Sequence, residues 1–193
     1  MRALIPLVLA LAGPLFVSSV SAQAGASTPT AVLVSGPDVG RRAPDFTLPW
    51  AGKDGPGPAD SPYQLWRDRG KTVVLAFYPR DFTSSGTTQM REFGQRYDSL
   101  FGPEVVLVAI SSDSVETHGR FASSLNLPFR LLSDPEQRVA RKYGSYDSSG
   151  FPRRTVFVIG PDGRVKYRNL DFNAQDPKDY AALGRAVRSS RGG

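Results

Sequence analysis

The chain of 193 residues contains no cysteine. Disulfides, thiolate nucleophiles and cysteine-held metal centres are excluded with it. Histidine is nearly absent as well, since His118 stands alone. A zinc or haem site built on cysteine and histidine therefore has no ligand set, and no cofactor is expected. A Ser-His scheme would rest on one histidine that nothing marks out. No nucleophile elbow with usable acid and base partners, no Walker A loop and no dinucleotide fingerprint occurs. Beyond the N-terminus, no run is long and apolar enough to span a bilayer.

The N-terminus is the exception. Met1-Arg2 precedes an apolar run from Ala3 to Val20, then Ser21-Ala22-Gln23-Ala24. A short basic start, an apolar stretch and small residues at its end have the form of a secretory signal peptide. Pro6 and Pro14 interrupt the run, which argues against a membrane anchor. Cleavage fits after Ala22 or after Ala24, and the second is preferred. The expected organisation is a signal peptide over 1–24, a flexible leader over 25–39 and one domain over 40–190. Periplasmic or secreted location follows as an expectation, with no membrane insertion after cleavage.

The net charge is +6, and removal of Arg2 leaves +5. The basic residues are 19 Arg against 5 Lys. They are scattered and form no single stripe, so they read as solubility and not as a nucleic-acid face. With no disulfide available, the core alone must hold the mature chain together.

Residues 25–43 are rich in Gly, Ser, Thr and Pro, with one candidate edge strand in Ala31–Val34. Residues 44–49 suggest a short strand pinned by prolines. Residues 51–62 read as a turn-rich loop, with Ser61-Pro62 opening a helical turn anchored by Leu65 and Trp66. The segments 71–78, 104–110 and 155–159 are nearly continuous apolar runs, as expected of strands covered on both faces. Weaker evidence gives another strand at 129–132. Helices are expected at about 87–100, 114–125, 135–143 and 177–188, with stripes such as Met90, Phe93, Tyr97 and Leu100 facing inward. Residues 164–168 alternate as the hairpin partner of 155–159. This order predicts an α/β fold with parallel crossovers, helices on both faces and an antiparallel edge. The pattern fits a three-layer, thioredoxin-like fold with a central mixed sheet, and other three-layer folds as well.

Five segments carry a resemblance. "GRRAPDFTLP" (40–49), "GKTVVLAFYPRDFTSSGTTQMREF" (70–93), "LVAISSDSVETHGRFASSL" (107–125), "RLLSDPEQRVARKYGSY" (130–146) and "TVFVIGPDGRV" (155–165) resemble segments of peroxiredoxins. The likeness is greatest to the bacterioferritin-comigratory, thioredoxin-dependent branch and covers residues 40–188. It implies a peroxiredoxin-type thioredoxin fold and a site for peroxide reduction. Pro79 and Thr83 match the first members of that family's motif. The peroxidatic cysteine would stand at Gly86, and a resolving cysteine at Arg91. The motif's arginine falls on Arg154, with Arg153 as a rival one residue away. A glutamate common three residues after the cysteine is here Gln89.

The resemblance implies an anion-binding hollow without its nucleophile: helix-start N–H groups, the Thr83 hydroxyl and the Arg154 guanidinium. Each residue also has a plainer reading. Pro79 fits a strand terminator, Thr83 a helix cap, and Gly86 a first-turn residue without a role. Arg154 could pair with Asp81 or Glu92. Asp81 reads as a structural cap, His118 as a surface residue, and Met90 as packing. A non-peroxidase binding or scaffold protein is the favoured function, its partner a protein or a small anionic or peroxide-like ligand. The alternative is an enzyme that uses Thr83 and Arg154 without covalent catalysis. A homodimer is open, with Trp66 or Tyr78 as candidate surface residues.

Overall fold

The computed structural model describes residues 36–146 and 149–191. The expected signal peptide and the strand at Ala31–Val34 lie outside them. The strands are β1 (Thr47–Leu48), β2 (Trp50–Gly52), β3 (Gly55–Pro56), β4 (Tyr63–Gln64), β5 (Thr72–Phe77), β6 (Val105–Ser111), β7 (Arg130–Ser133), β8 (Thr155–Ile159) and β9 (Val165–Asn169). The helices are α1 (Ser84–Gln95), α2 (Tyr97–Leu100), α3 (Val115–Ser124), α4 (Arg138–Lys142) and α5 (Pro177–Ser190), with a 3-10 turn at Leu65–Asp68.

Seven strands form one mixed sheet in the order β3-β2-β7-β6-β5-β8-β9. β5, β6 and β7 run parallel, while β8 pairs antiparallel with β5 and β9 antiparallel with β8. The parallel pairs are joined by helical crossovers, as the sequence order predicts. The three continuous apolar runs occupy β5, β6 and β8, side by side in the middle.

Alternation on β5 shows why those runs are apolar throughout. Val74 and Ala76 face one core with Met90, Phe93, Phe121, Tyr180 and Leu183, under α1, α3 and α5. Val73, Leu75 and Phe77 face a second core with Phe46, Tyr63, Leu65, Val139 and Tyr143, under the 3-10 turn and α4. A strand covered on both faces is apolar nearly throughout, and the one polar residue of β5, Thr72, is buried with its hydroxyl 3.1 Å from that of Ser190. The α/β, three-layer, thioredoxin-like fold with a central mixed sheet is the one expected.

Local departures have physical causes. α1 starts at Ser84, three residues earlier than the apolar stripe suggested, because Thr83 caps it. The stretch 51–62 is not all loop, since β2 and β3 form a small hairpin and β2 pairs with β7. The proline-pinned strand at 44–49 shrinks to β1, paired with β4. Ser61-Pro62 opens no helical turn. The turn begins at Leu65, and the Trp66 N–H donates to Asp45 Oδ1 at 3.1 Å. That acceptor lies 21 residues upstream, beyond the reach of a local capping rule.

Candidate functional site at the start of helix α1

β5 ends at Phe77, and Pro79 to Thr83 turn the chain into α1. Thr83 is extended, with φ −77° and ψ 151°, as a helix N-cap requires. Its Oγ1 accepts the Gly86 N–H at 3.1 Å and donates to the Arg80 carbonyl at 3.0 Å. One hydroxyl thus closes the loop on both sides. Of the helix-start donors, the Gly86 N–H is already engaged.

Gly86 is buried and its space is closed. A Cβ there would sit 2.7 Å from Thr83 Oγ1 and nearer still to the Arg80 carbonyl oxygen. The second neighbour is backbone and cannot swing aside. The hollow implied by the resemblance is filled by the chain's own loop.

That loop is held from beneath. The Asp81 side chain is wholly buried and accepts from the Tyr78 hydroxyl at 2.5 Å. Its other oxygen pairs with His118 Nδ1 at 2.8 Å. His118 Nε2 lies 3.1 Å from the Leu132 carbonyl, which can only accept, so Nε2 carries hydrogen. The Asp81 N–H donates to Asp113 Oδ2 at 2.8 Å, and the Ser111 hydroxyl donates to the same oxygen at 2.7 Å. Burial, and then the Asp81 carboxylate, push the Tyr78 phenol well above its ordinary pKa, so it remains a donor. Above this network Phe82 takes a φ of +54° and rests on Phe121 with ring centroids 4.9 Å apart.

These contacts correct three expectations. His118 is a fully buried partner and no surface residue. Asp81 caps no helix; it joins Tyr78, one residue past β5, to His118 of α3 and to Asp113. Tyr78 is fully buried and cannot belong to a dimer surface, whereas Trp66 is half exposed. His118 and Asp81 are 37 residues apart, so only the fold brings them together.

Arg154, just before β8, does reach the helix start. It donates to Ser85 Oγ at 2.9 Å and to Gln89 Oε1. It pairs with neither Asp81 nor Glu92. Burial draws its guanidinium below the ordinary arginine value, with the Tyr180 phenol opposing, and leaves it a permanent cation. Gln89 is fully buried, and its Nε2 has no hydrogen-bond partner among the described residues. Arg153 points elsewhere, to the Leu170 carbonyl at 3.0 Å. Arg91 is exposed on the outer side of α1.

The four expected site residues meet only in part. Pro79 and Arg154 line a cleft of about 300 Å³ with Phe151 and Pro152. Thr83 and Gly86 do not line it. Sequence reasoning missed Ser85 and the Tyr78–Asp81–His118 network. Ser85 could have been found from its place beside Gly86. The network had no local signal.

The AhpC/TSA family pattern matches residues 39–168 of this chain. The chain belongs to the peroxiredoxin (AhpC/TSA) family. It is 34% identical over 135 residues to peroxiredoxin Bcp of Bacillus subtilis, covering 66% of this chain and 82% of that protein. It is 37% identical over 138 residues to the chloroplastic peroxiredoxin Q of Sedum lineare, covering 70% of this chain and 69% of that one. Among solved structures, peroxidoxin BcpB of Mycobacterium tuberculosis matches with a TM-score of 0.65 at 26% identity, over 80% of this chain and 99% of that one. Enterococcus faecalis AhpC shares the fold, with a TM-score of 0.68 at 21% identity, over 79% and 91% of the two chains. This peroxiredoxin lacks the peroxidatic cysteine, since it has none at any position.

Proposed function

We propose that this peroxiredoxin is a non-peroxidase member of its family, exported and acting as a binding or scaffold protein. The observation that carries the reading is the Arg80 carbonyl standing where a side chain at residue 86 would begin. Reduction of a peroxide by this family's chemistry needs a thiolate to attack the oxygen–oxygen bond, and here sulfur and space are both missing. The apolar run Ala3–Val20 with Ala22 and Ala24 behind it supports export.

The alternative, an enzyme acting through Thr83 and Arg154 without a thiol, finds less support. The Thr83 hydroxyl is engaged as donor and acceptor, and both terminal nitrogens of Arg154 have partners. Neither group is placed as a nucleophile or a proton carrier.

Peroxide consumption by the mature chain, measured with a thiol reductant against a heat-treated control, tests the reading. The two rates should be equal. Turnover well above the control would overturn it. A signal-peptide fusion assay for transport across the inner membrane tests export, and retention of the reporter in the cytoplasm would refute it.

A further inference from the structure

At the far end of β5 lies a second hollow of about 240 Å³. It is six strand residues, about 20 Å, from the helix start. Three segments wall it: Arg42 to Asp45, the 3-10 turn with Arg69 to Lys71, and the turn between β8 and β9. Its floor is Leu65, Val73 and Ile159, all nearly inaccessible.

The walls are tied to one another by main-chain groups. The Ala43 N–H donates to the Gly163 carbonyl at 3.0 Å. The Gly70 N–H donates to the Pro161 carbonyl at 3.0 Å, and the Trp66 N–H to Asp45 Oδ1 at 3.1 Å. Each pair of walls shares one such bond, so the backbone of the hollow is preformed and only side chains at its mouth need ordering on occupation.

The charges at its mouth do not balance. Asp45 Oδ1 already accepts two main-chain N–H groups, and Asp68 pairs with Lys71 at 3.4 Å. Arg42 and Arg69 are exposed, and neither side chain has an ion-pair or hydrogen-bond partner among the described residues. The charged side chains around the hollow, Arg42, Arg69 and Lys71 against Asp45 and Asp68, leave one positive charge in excess. An apolar floor beneath two guanidinium groups without ion-pair partners among the described residues favours an amphiphilic anion. Its apolar body would fill the hollow against Leu65, Val73 and Ile159 in van der Waals contact, while its head would accept charge-assisted hydrogen bonds.

We propose that this hollow binds a small organic anion, an aromatic or short aliphatic body carrying one carboxylate, with Arg42 and Arg69 holding the head. The proposal goes beyond the reading of the helix start and is independent of it. A peroxidase assay leaves it untouched, and its own failure leaves that reading standing.

Titration of the mature chain with naphthoate, naphthylmethanol and acetate tests it, with methyl NMR of Leu65, Val73 and Ile159 as the readout. Naphthoate should bind saturably and shift those three residues. The neutral alcohol and the bodiless acetate should each bind at least roughly tenfold more weakly. The double variant Arg42→Ala/Arg69→Ala changes only exposed side chains and should weaken naphthoate by roughly tenfold or more. Equal affinity for naphthoate and naphthylmethanol, unchanged affinity in the double variant, shifts confined to other residues, or no saturable binding would each overturn the assignment.

Discussion

The Thr83 hydroxyl and the Gly86 N–H satisfy each other at 3.1 Å, and the same hydroxyl donates to the Arg80 carbonyl. The helix start is thus closed in on itself. In a thiol peroxidase that end of the helix must stay open to a sulfur and a peroxide oxygen. The change at residue 86 is therefore more than the loss of one side chain.

Gly86→Ala should show the closure as a loss of stability. Glycine to alanine inside a helix ordinarily stabilises by about 0.5–1 kcal/mol. Here the added methyl meets the Arg80 carbonyl and Thr83 Oγ1. The neighbouring Asp81 is anchored through both its N–H and its carboxylate, so the loop cannot move away cheaply. Overpacking of this kind costs about 1–3 kcal/mol. Urea unfolding checks the sign, and a gain in stability would mean that the loop yields freely.

His118→Leu should be among the most damaging single changes. It leaves the buried Asp81 carboxylate with Tyr78 alone as a side-chain partner. Breaking one side of a buried pair costs about 3–5 kcal/mol. Asp81→Leu combined with His118→Leu should cost less than the sum of the two singles, because no unpaired charge remains. Denaturation of the three variants closes the cycle, and simple additivity would show that the pair does not act as one.

Gln89→Glu should stabilise the chain by roughly 1 kcal/mol. It replaces a buried amide whose Nε2 is unpaired with a carboxylate facing Arg154. Arg154→Ala should cost about 1–3 kcal/mol, whereas Arg153→Ala, whose contact is exposed, should cost under about 0.5 kcal/mol. Thermal unfolding of the three variants decides, and equal losses for the two arginines would refute the assignment of Arg154 to the helix start.

The chain should lose stability at alkaline pH. Burial, then the nearby Glu92, lift the Tyr180 phenol from 10.0 to about 12. Burial also raises Tyr63 and Tyr143. Between the unfolded and the folded value the native state binds more protons than the unfolded chain. The stabilisation is complete below pH 10 and is lost as pH rises toward about 12. Tyr180→Phe should flatten that fall. Urea midpoints at stepped pH measure it, together with tyrosinate absorbance, and an unchanged slope in the variant would exclude Tyr180 as a contributor.

The sequence disclosed what is written in continuous stretches. β5, β6 and β8 were legible because both faces of each are buried, leaving no polar residue to interrupt the run. Thr83, Gly86 and Arg154 were legible through likeness to a motif. What stayed hidden depends on partners distant in the chain. Asp45 caps a turn 21 residues away, and Asp81 meets His118 37 residues away. The β2–β3 hairpin was hidden because its strands are two or three residues long and lie among glycines and prolines, where alternation cannot be read. That the hollow at Gly86 is filled depends on the position of one carbonyl oxygen, which no side-chain pattern records.

The most direct test is the thiol of Gly86→Cys. A thiolate at an open helix start beneath Arg154 would titrate well below the ordinary value. With the Gly86 N–H given to Thr83 and Arg154 held by Ser85 and Gln89, the closed site predicts a thiol pKa of about 8.5 or higher and no peroxide turnover. A thiol pKa below about 7 with measurable peroxide consumption would show that the site lacks only its sulfur, and would contradict the account.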